Sequence, residues 1–140
     1  MSVASFEDRV RESFASQGLM QTLGAELTEV SEGHVVIEAS LSPAVSQQQG
    51  AAHAGLTFAI GDSSAGYASL SMMPKDCEVV TAEMKIHLLA PAVGERLVAI
   101  GRVVKPGRRL FVAASDIWAV TGDERRQVAT LLGTMVPVPV

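Results

Sequence analysis

Apolar residues near the start of the chain recur about every four positions, with charged residues between them, at Phe6, Val10 and Phe14. This spacing places them on one face of a helix. We predict an N-terminal segment, residues 1–18, whose helix covers residues 5–17 and ends at Gly18. Two strand-like stretches follow at 25–30 and 35–40, and the turn sequence Ser-Glu-Gly-His between them indicates a β-hairpin.

The middle of the chain is a run of small and apolar residues, 54–74, in which only Asp62 is charged. The run is too long for an ordinary strand and Pro74 would stop a helix, so we predict a long central helix over residues 53–73. Three glycines, five Ser or Thr residues and Asp62 make it a poor membrane span. We therefore expect this helix to be buried in protein, and we do not expect the protein to bind a membrane.

Beyond Pro74 the pattern changes to alternating β-branched residues, which predicts four strands, 79–89, 96–104, 110–120 and 125–138. Short turns at 91–94, 105–107 and 121–123 join these strands, so we expect them to form an antiparallel meander. A sheet of about six strands can bury one apolar helix only by curling around it. The predicted fold is therefore α+β, with a curved antiparallel sheet wrapped around the central helix in a single domain, residues 1–140.

Composition narrows the class of protein. The formal net charge is −4, and the only basic cluster is a short turn, so nucleic-acid binding is not expected. The single cysteine, Cys77, excludes an internal disulfide, and the three histidines show no metal-ligand spacing. With no secretory signal at the N-terminus, these features favour a reduced, cytoplasmic setting and no metal site. Because 48% of the residues are apolar, we expect part of the apolar surface to be buried between subunits.

Asp62 is the residue that the predicted fold does not explain. Its neighbours at helical spacing are Phe58, Ala59, Ala65 and Gly66, and none of them can form a salt bridge. An ionised carboxylate in such a segment is costly unless something pairs with it. Its partners must come from another segment or subunit, unless the space beside it holds a ligand. A solvated or loop-capping Asp is the alternative that these residues leave open.

The segment before the central helix carries the pattern Gln-x-x-Gly-x-x-His-Ala-Gly, with Asp62 nine residues after His53. This pattern resembles the signature of the hotdog-fold acyl-CoA thioesterases of the phenylacetic acid degradation (PaaI) type. The resemblance continues through the strand and Pro turn at 80–92 and spans residues 20–138. One position departs from the family pattern, because Ala54 stands where the family has a Gly. Its methyl group narrows the approach of a thioester.

The resemblance implies an acyl-CoA thioesterase in which Asp62 is the catalytic carboxylate, as a nucleophile or as a general base. The Ala54 N–H at the helix N-terminus would polarise the thioester carbonyl, where the helix dipole favours negative charge. Gln47 would orient the water or the thioester, and Thr81 would assist from a facing strand. His53 would either hold its loop by hydrogen bonds or transfer a proton.

Substrate contacts implied by the resemblance extend further. Gly50 and Gly55 of the motif would lie against the substrate. The basic turn of Lys105, Arg108 and Arg109 would pair with the phosphates of coenzyme A, unless it is only a solvated hairpin tip. Coenzyme A enters as part of the substrate, so no separate cofactor is implied. The family's site is shared between subunits, which implies a homodimer or a dimer-of-dimers tetramer.

Two other functions stay open on the sequence alone. Related hotdog hydratases carry a catalytic His five residues after the acidic residue, where this chain has Tyr67, a side chain expected in the core or at an interface. A non-catalytic acyl-CoA-binding module would not need Asp62, Gln47 and Thr81 together. We expect a small or aromatic acyl group, but its identity depends on pocket side chains from two subunits.

Overall fold

The computed structural model describes residues 5–140, and residues 1–4 of the predicted N-terminal segment lie outside them. The elements in chain order are α1 (Phe6–Ala15), α2 (Gly18–Leu23), β1 (Ala25–Ser31), β2 (His34–Ser40), a 3-10 turn (Pro43–Val45), α3 (Ala54–Leu70), β3 (Cys77–Leu88), β4 (Arg96–Lys105), β5 (Phe111–Thr121) and β6 (Glu124–Pro139). The predicted α+β hotdog fold, a curved six-stranded antiparallel sheet around a long helix, is confirmed.

The strands form one sheet in the order β1-β2-β4-β5-β6-β3, with every pair antiparallel. Gly33, at φ +74°, makes the turn of the predicted β1–β2 hairpin. Strands β4, β5 and β6 form the predicted meander. The prediction is wrong for β3, which follows α3 to the far side of the sheet and pairs with β6 instead of β4. Strand β3 therefore has one edge without a neighbouring strand among residues 5–140.

Both predicted helices differ from the observed ones at their ends. Helix α1 ends at Ala15, and Gly18 begins the short α2, which the sequence pattern did not indicate. Helix α3 ends at Leu70, earlier than the predicted 73, because Met72 and Met73 bond back only three residues in a tightened last turn. Pro74 then prevents Met73 from continuing the helix.

The core surrounds α3, most of whose residues are buried, and the concave face of the sheet covers the helix. Fully buried side chains come from both layers and from α2, and the largest of them are Met20, Ile37, Ile60, Leu70, Leu97, Ile117, Leu131 and Met135. Small residues on the helix, among them Gly61, Ala65 and Ala68, allow this close approach. Ala54 and Gly55 lie exposed at the start of the helix.

Helix α3 and the sheet approach each other closely at Gly101 of β4. A Cβ atom there would lie 2.2 Å from the backbone carbon and oxygen of Ser64 in α3. The Ser64 hydroxyl also bonds that of Ser115 at 2.7 Å, and both side chains are fully buried. Helix and strand backbones are thus held together at this point with no space for a side chain on β4.

Gly101→Ala is expected to lower the free energy of unfolding by about 1–3 kcal/mol, because the added methyl group must push the helix backbone off the sheet. Denaturant unfolding followed by circular dichroism measures the change. Gly18→Ala is the control, since a Cβ at Gly18 meets nothing within 4 Å. Equal stability of the Gly101→Ala variant and the wild type would contradict the close packing.

Candidate active site

Asp62 lies in the middle of α3, half-buried, and its Oδ1 accepts a hydrogen bond from the Thr81 hydroxyl of β3 at 2.8 Å. Among residues 5–140 no cation pairs with it, since the two salt bridges there are Arg11–Glu7 and Arg96–Glu38. Burial raises the pKa of Asp62 above its usual value, and the hydrogen bond from Thr81 lowers it in part. The carboxylate is therefore held by a neutral donor.

The position of Thr81 depends on an irregularity in β3. The β3–β6 register shifts between Thr81 and Glu83, so one residue of β3 has no direct partner in β6. Such irregularities change the local twist of a strand and redirect its side chains, and they are common beside functional sites. This one lies directly next to the residue that holds Asp62.

Asp62 opens into a cavity of about 350 Å³, named here the Asp62 cavity, whose walls include Ser13, Gln17, Tyr67, Glu78 and Thr81. The Gln17 amide donates to the Tyr67 hydroxyl at 2.6 Å, and the Ser13 hydroxyl lies 3.1 Å from it. Ser13 also donates to the carboxylate of Glu78 at 3.1 Å. Tyr67 is buried, and this burial raises the pKa of its phenol.

Sequence reasoning missed this network. Tyr67 is predicted only as a core or interface residue, and the sequence pattern predicts no role for Ser13, in α1, or for Gln17, which directly precedes α2. Their spacing of four residues, which would place both on one face of the predicted helix over residues 5–17, is the signal that could have indicated them. Phe14 packs edge-on against Tyr67, with ring centroids 6.1 Å apart.

The N-terminus of α3 presents one free amide. His53 is the N-cap, and its Nδ1 accepts the Gly55 N–H at 2.8 Å. The next two amides, of Leu56 and Thr57, bond to the His53 carbonyl. The Ala54 N–H has no hydrogen-bond partner among the described residues, and Ala54 is exposed. A donor is therefore available where the helix dipole is positive.

Gln47 lies in the loop just before α3, where Gly50, at φ +87°, closes a turn by donating its N–H to the Gln47 carbonyl. The side-chain Oε1 of Gln47 accepts the N–H of Gln49. Its amide Nε2 makes no hydrogen bond with the described residues, so the side chain is left as a donor. Gln47 and Ala54 line one cavity of about 670 Å³, the Ala54 cavity, with mainly apolar walls that include Leu88, Leu89 and Val93.

The structure thus divides the predicted site residues into separate groups. Asp62 and Thr81 share one cavity, and Gln47 and Ala54 share the other. Eight helix positions, about 12 Å at the usual rise, separate Ala54 from Asp62 within one chain. Within one chain, Asp62 therefore does not contact the Ala54 N–H.

The remaining predicted residues lie elsewhere. His53 and Gly55 line a groove next to Leu19 and Leu23 of α2. Three basic residues occupy the exposed β4–β5 hairpin and line neither the Asp62 cavity nor the Ala54 cavity: Lys105, Arg108 and Arg109. In the described part of the chain, no helix combines the length and the apolar character that crossing a membrane requires.

Comparison with known proteins gives consistent matches. The model of the thioesterase superfamily matches residues 49–125. The crystal structure of a thioesterase family protein from Silicibacter pomeroyi is 38% identical, with a TM-score of 0.94, over 97% of this chain and all of that one. A curated relative from Saccharolobus solfataricus, provisionally named as an esterase, is 28% identical over 127 residues, 91% of this chain and 82% of its own length.

A more distant structure extends the likeness in fold. The PaaI protein of the E. coli phenylacetic acid degradation operon is 19% identical, with a TM-score of 0.83, over 95% of this chain and 93% of that one. At this identity the likeness shows the shared fold alone.

Proposed function

The chain belongs to the thioesterase superfamily and is a thioester hydrolase, and from this premise we propose that it cleaves acyl-CoA thioesters with Asp62 as the catalytic carboxylate. The observation that carries the proposal is the environment of Asp62. It opens into a cavity, has a raised pKa and contacts a neutral donor in place of a cation. A carboxylate of this kind is a stronger base than a solvated one and is not neutralised by a partner.

Two routes of hydrolysis fit this geometry. Asp62 either attacks the thioester carbonyl carbon itself, or takes a proton from a water that attacks it. In both routes the carbonyl electrons move onto oxygen, and the tetrahedral intermediate then expels the CoA thiolate, which takes up the proton that the water gives up. In the first route this leaves a mixed anhydride with Asp62, and a water molecule then hydrolyses it, which releases the acid and returns the carboxylate. The Thr81 hydroxyl donates a hydrogen bond to Oδ1 of Asp62, so Oδ2 remains to accept the proton of the water or to attack the carbonyl carbon. Thr81 is a positioning residue in this scheme.

The developing oxyanion needs donors, and the Ala54 cavity supplies two. The Ala54 N–H is unpaired within residues 5–140 and lies at the positive end of α3. Gln47 keeps its amide Nε2 as a second donor, because Oε1 is engaged by Gln49. We therefore assign Gln47 to the carbonyl oxygen or the oxygen of the attacking water. His53 holds the start of the helix through Gly55.

A second copy of the chain would join the two cavities. Strand β3 is one of the two edge strands of the sheet and exposes Val80 and Leu88, at 49% and 58% of their surface. Pairing of β3 with the same strand of a second copy about a twofold axis would continue the sheet. The two strands would run in opposite directions, so the half of one that carries Thr81 would lie beside the half of the other that carries Leu88. Leu88 lines the Ala54 cavity, so each Asp62 would face the Ala54 cavity of the partner subunit.

Finer features of the proposal rest on the motif and on charge. The Gln-x-x-Gly-x-x-His pattern supports a PaaI-type member of the superfamily. The exposed hairpin cations, Lys105, Arg108 and Arg109, suit the phosphates of coenzyme A. A tetramer built from two such dimers and a cytoplasmic location complete the proposal.

A thiol-release assay on short, long and aromatic acyl-CoAs tests the reaction directly. We expect release of free coenzyme A from at least one class at a rate that is proportional to the concentration of the protein. A folded protein that releases no thiol from any of these acyl-CoAs would contradict the proposal.

Thr81→Val is expected to move the acid limb of kcat/KM to higher pH. Asp62 must be ionised to act, and activity falls as pH drops through its pKa. The hydrogen bond from Thr81 favours the ionised form, so its removal raises that pKa further. Rate measurements across the acid range check the shift, with Thr22→Val on exposed α2 as the control. An acid limb that stays in place or moves to lower pH would rule out this role.

A further inference from the structure

The Asp62 cavity has walls that hydrolysis alone does not require. Most of its lining side chains are polar, whereas those of the Ala54 cavity are mostly apolar. Six of the polar ones take no part in the proposed chemical step, and four of these six form one hydrogen-bonded network: Ser13, Gln17, Tyr67 and Glu78. An apolar acyl group placed against them would displace their water without replacing its hydrogen bonds, which costs binding energy.

The hydrogen bonds of these residues run in one direction. Ser13 has a single proton, and the carboxylate of Glu78 is the stronger acceptor for it. Tyr67 then donates to Ser13 while it accepts from the amide of Gln17. The chain of donors therefore ends on a carboxylate.

Glu78 keeps the capacity to accept another hydrogen bond. Its carboxylate accepts from Ser13 and from the N–H of Val79 at 3.2 Å, and two carboxylate oxygens offer about four acceptor positions. A ligand with its own O–H group can therefore donate to Glu78, or replace Ser13 as the acceptor from Tyr67. A ligand that ends in a carboxylate would meet two negative charges in the same cavity, those of Glu78 and Asp62.

We infer, on the basis of the proposed function, that the preferred acyl group is small and ends in a neutral hydroxyl group, which binds the Tyr67–Ser13–Glu78 network. The attacked carbonyl lies beside Asp62, so a small acyl group attached to it extends into the cavity that Asp62 lines. Ser13, Gln17, Tyr67 and Glu78 are then the residues that determine specificity, and Gln17 positions the phenol of Tyr67.

Matched acyl-CoAs that differ by a single hydroxyl test the inference. We compare kcat/KM for 4-hydroxybenzoyl-CoA against benzoyl-CoA, for 3-hydroxybutanoyl-CoA against butanoyl-CoA, and for succinyl-CoA as the anionic case. The wild type is expected to favour the hydroxylated member of at least one pair about 10-fold, in line with one added hydrogen bond, and to hydrolyse succinyl-CoA least.

Two variants test whether the preference for hydroxylated acyl groups depends on the Tyr67–Ser13–Glu78 network. Tyr67→Phe removes the phenol oxygen, and Gln17→Met removes the amide that positions it. Both are expected to bring the ratio within each pair towards one, and Gln17→Met decides the question if Tyr67→Phe does not fold. Ser31→Ala, an exposed hydroxyl in the β1–β2 turn, serves as the control and should keep the wild-type ratio.

The outcomes separate this inference from the proposed function. Binding of the same pairs to the Asp62→Asn variant by calorimetry measures selectivity without hydrolysis. Equal binding and equal kcat/KM within both pairs, or a preference that persists in Tyr67→Phe and Gln17→Met, overturns the inference. A hydroxyl preference in binding without thiol release by the wild type supports the inference and overturns only the proposed hydrolysis of acyl-CoA.

Discussion

Asp62→Asn is expected to lower kcat by about 10²- to 10⁴-fold, the usual contribution of a positioned base. The amide oxygen of Asn can still accept the hydrogen bond from Thr81, so the side chain keeps its place. It can neither take a proton from water nor attack a carbonyl carbon. Steady-state thiol release on the best acyl-CoA measures the loss, and KM is expected to change much less than kcat.

Asp123→Asn is the matched control for this variant. Asp123 lies exposed in the β5–β6 turn, and its substitution removes the same charge from the chain without touching either cavity. Its kcat is expected to equal that of the wild type. If Asp62→Asn kept activity within a few-fold of the wild type, another group would have to be the catalytic base.

The Asp62→Asn variant is also expected to be more stable than the wild type at neutral pH. Burial raises the pKa of Asp62 in the folded protein above its usual 3.8. Between the pKa of Asp62 in the unfolded chain and its higher pKa in the folded protein, the native state binds more protons than the unfolded state does. The free energy of unfolding of the wild type therefore falls as pH rises through this window, and it stays lower above the window. Thermal unfolding near pH 7 should show a higher midpoint for Asp62→Asn, and the gain should vanish as pH falls below about 3.8.

The fold could be predicted from the sequence because its elements have distinct periods. The Phe6, Val10 and Phe14 spacing gave α1, and alternation after Pro74 gave the four later strands to within two residues at their ends. Strand order was harder, since periodicity does not say which edge a strand joins. The position of β3 beside β6 follows from the path of α3 across the sheet, which is a three-dimensional property.

Only part of the candidate site could be predicted from the sequence. A motif at fixed spacing indicated Asp62 and the loop before α3, because those positions are close in sequence. Sequence could not show that Asp62 and Ala54 open into different cavities, since that depends on which other segments pack beside each part of α3. The Tyr67 network was also hidden, because Ser13, Tyr67 and Glu78 come from three separate elements.

Ala54→Pro is expected to lower kcat by about 10²- to 10³-fold, the usual cost of removing one oxyanion donor. Proline has no N–H, so the substitution removes the free amide that we assign to the carbonyl. It should leave the fold intact, because proline suits the first position of a helix. His53, at φ −63° and ψ 138°, already has the extended backbone that precedes a proline. Ala54→Gly keeps the N–H and is the control, with activity expected within a few-fold of the wild type.

Co-expression of the Ala54→Pro and Asp62→Asn chains under separate tags tests whether two subunits share each site. In the mixed dimer one site carries both substitutions, and the other combines an intact Asp62 with an intact Ala54 from the opposite chain. The two inactive variants should therefore complement each other, and purified mixed dimers should recover about half of the wild-type activity, since one of their two symmetric sites is intact. If each site used Asp62 and Ala54 of a single chain, mixed dimers would stay as inactive as either parent.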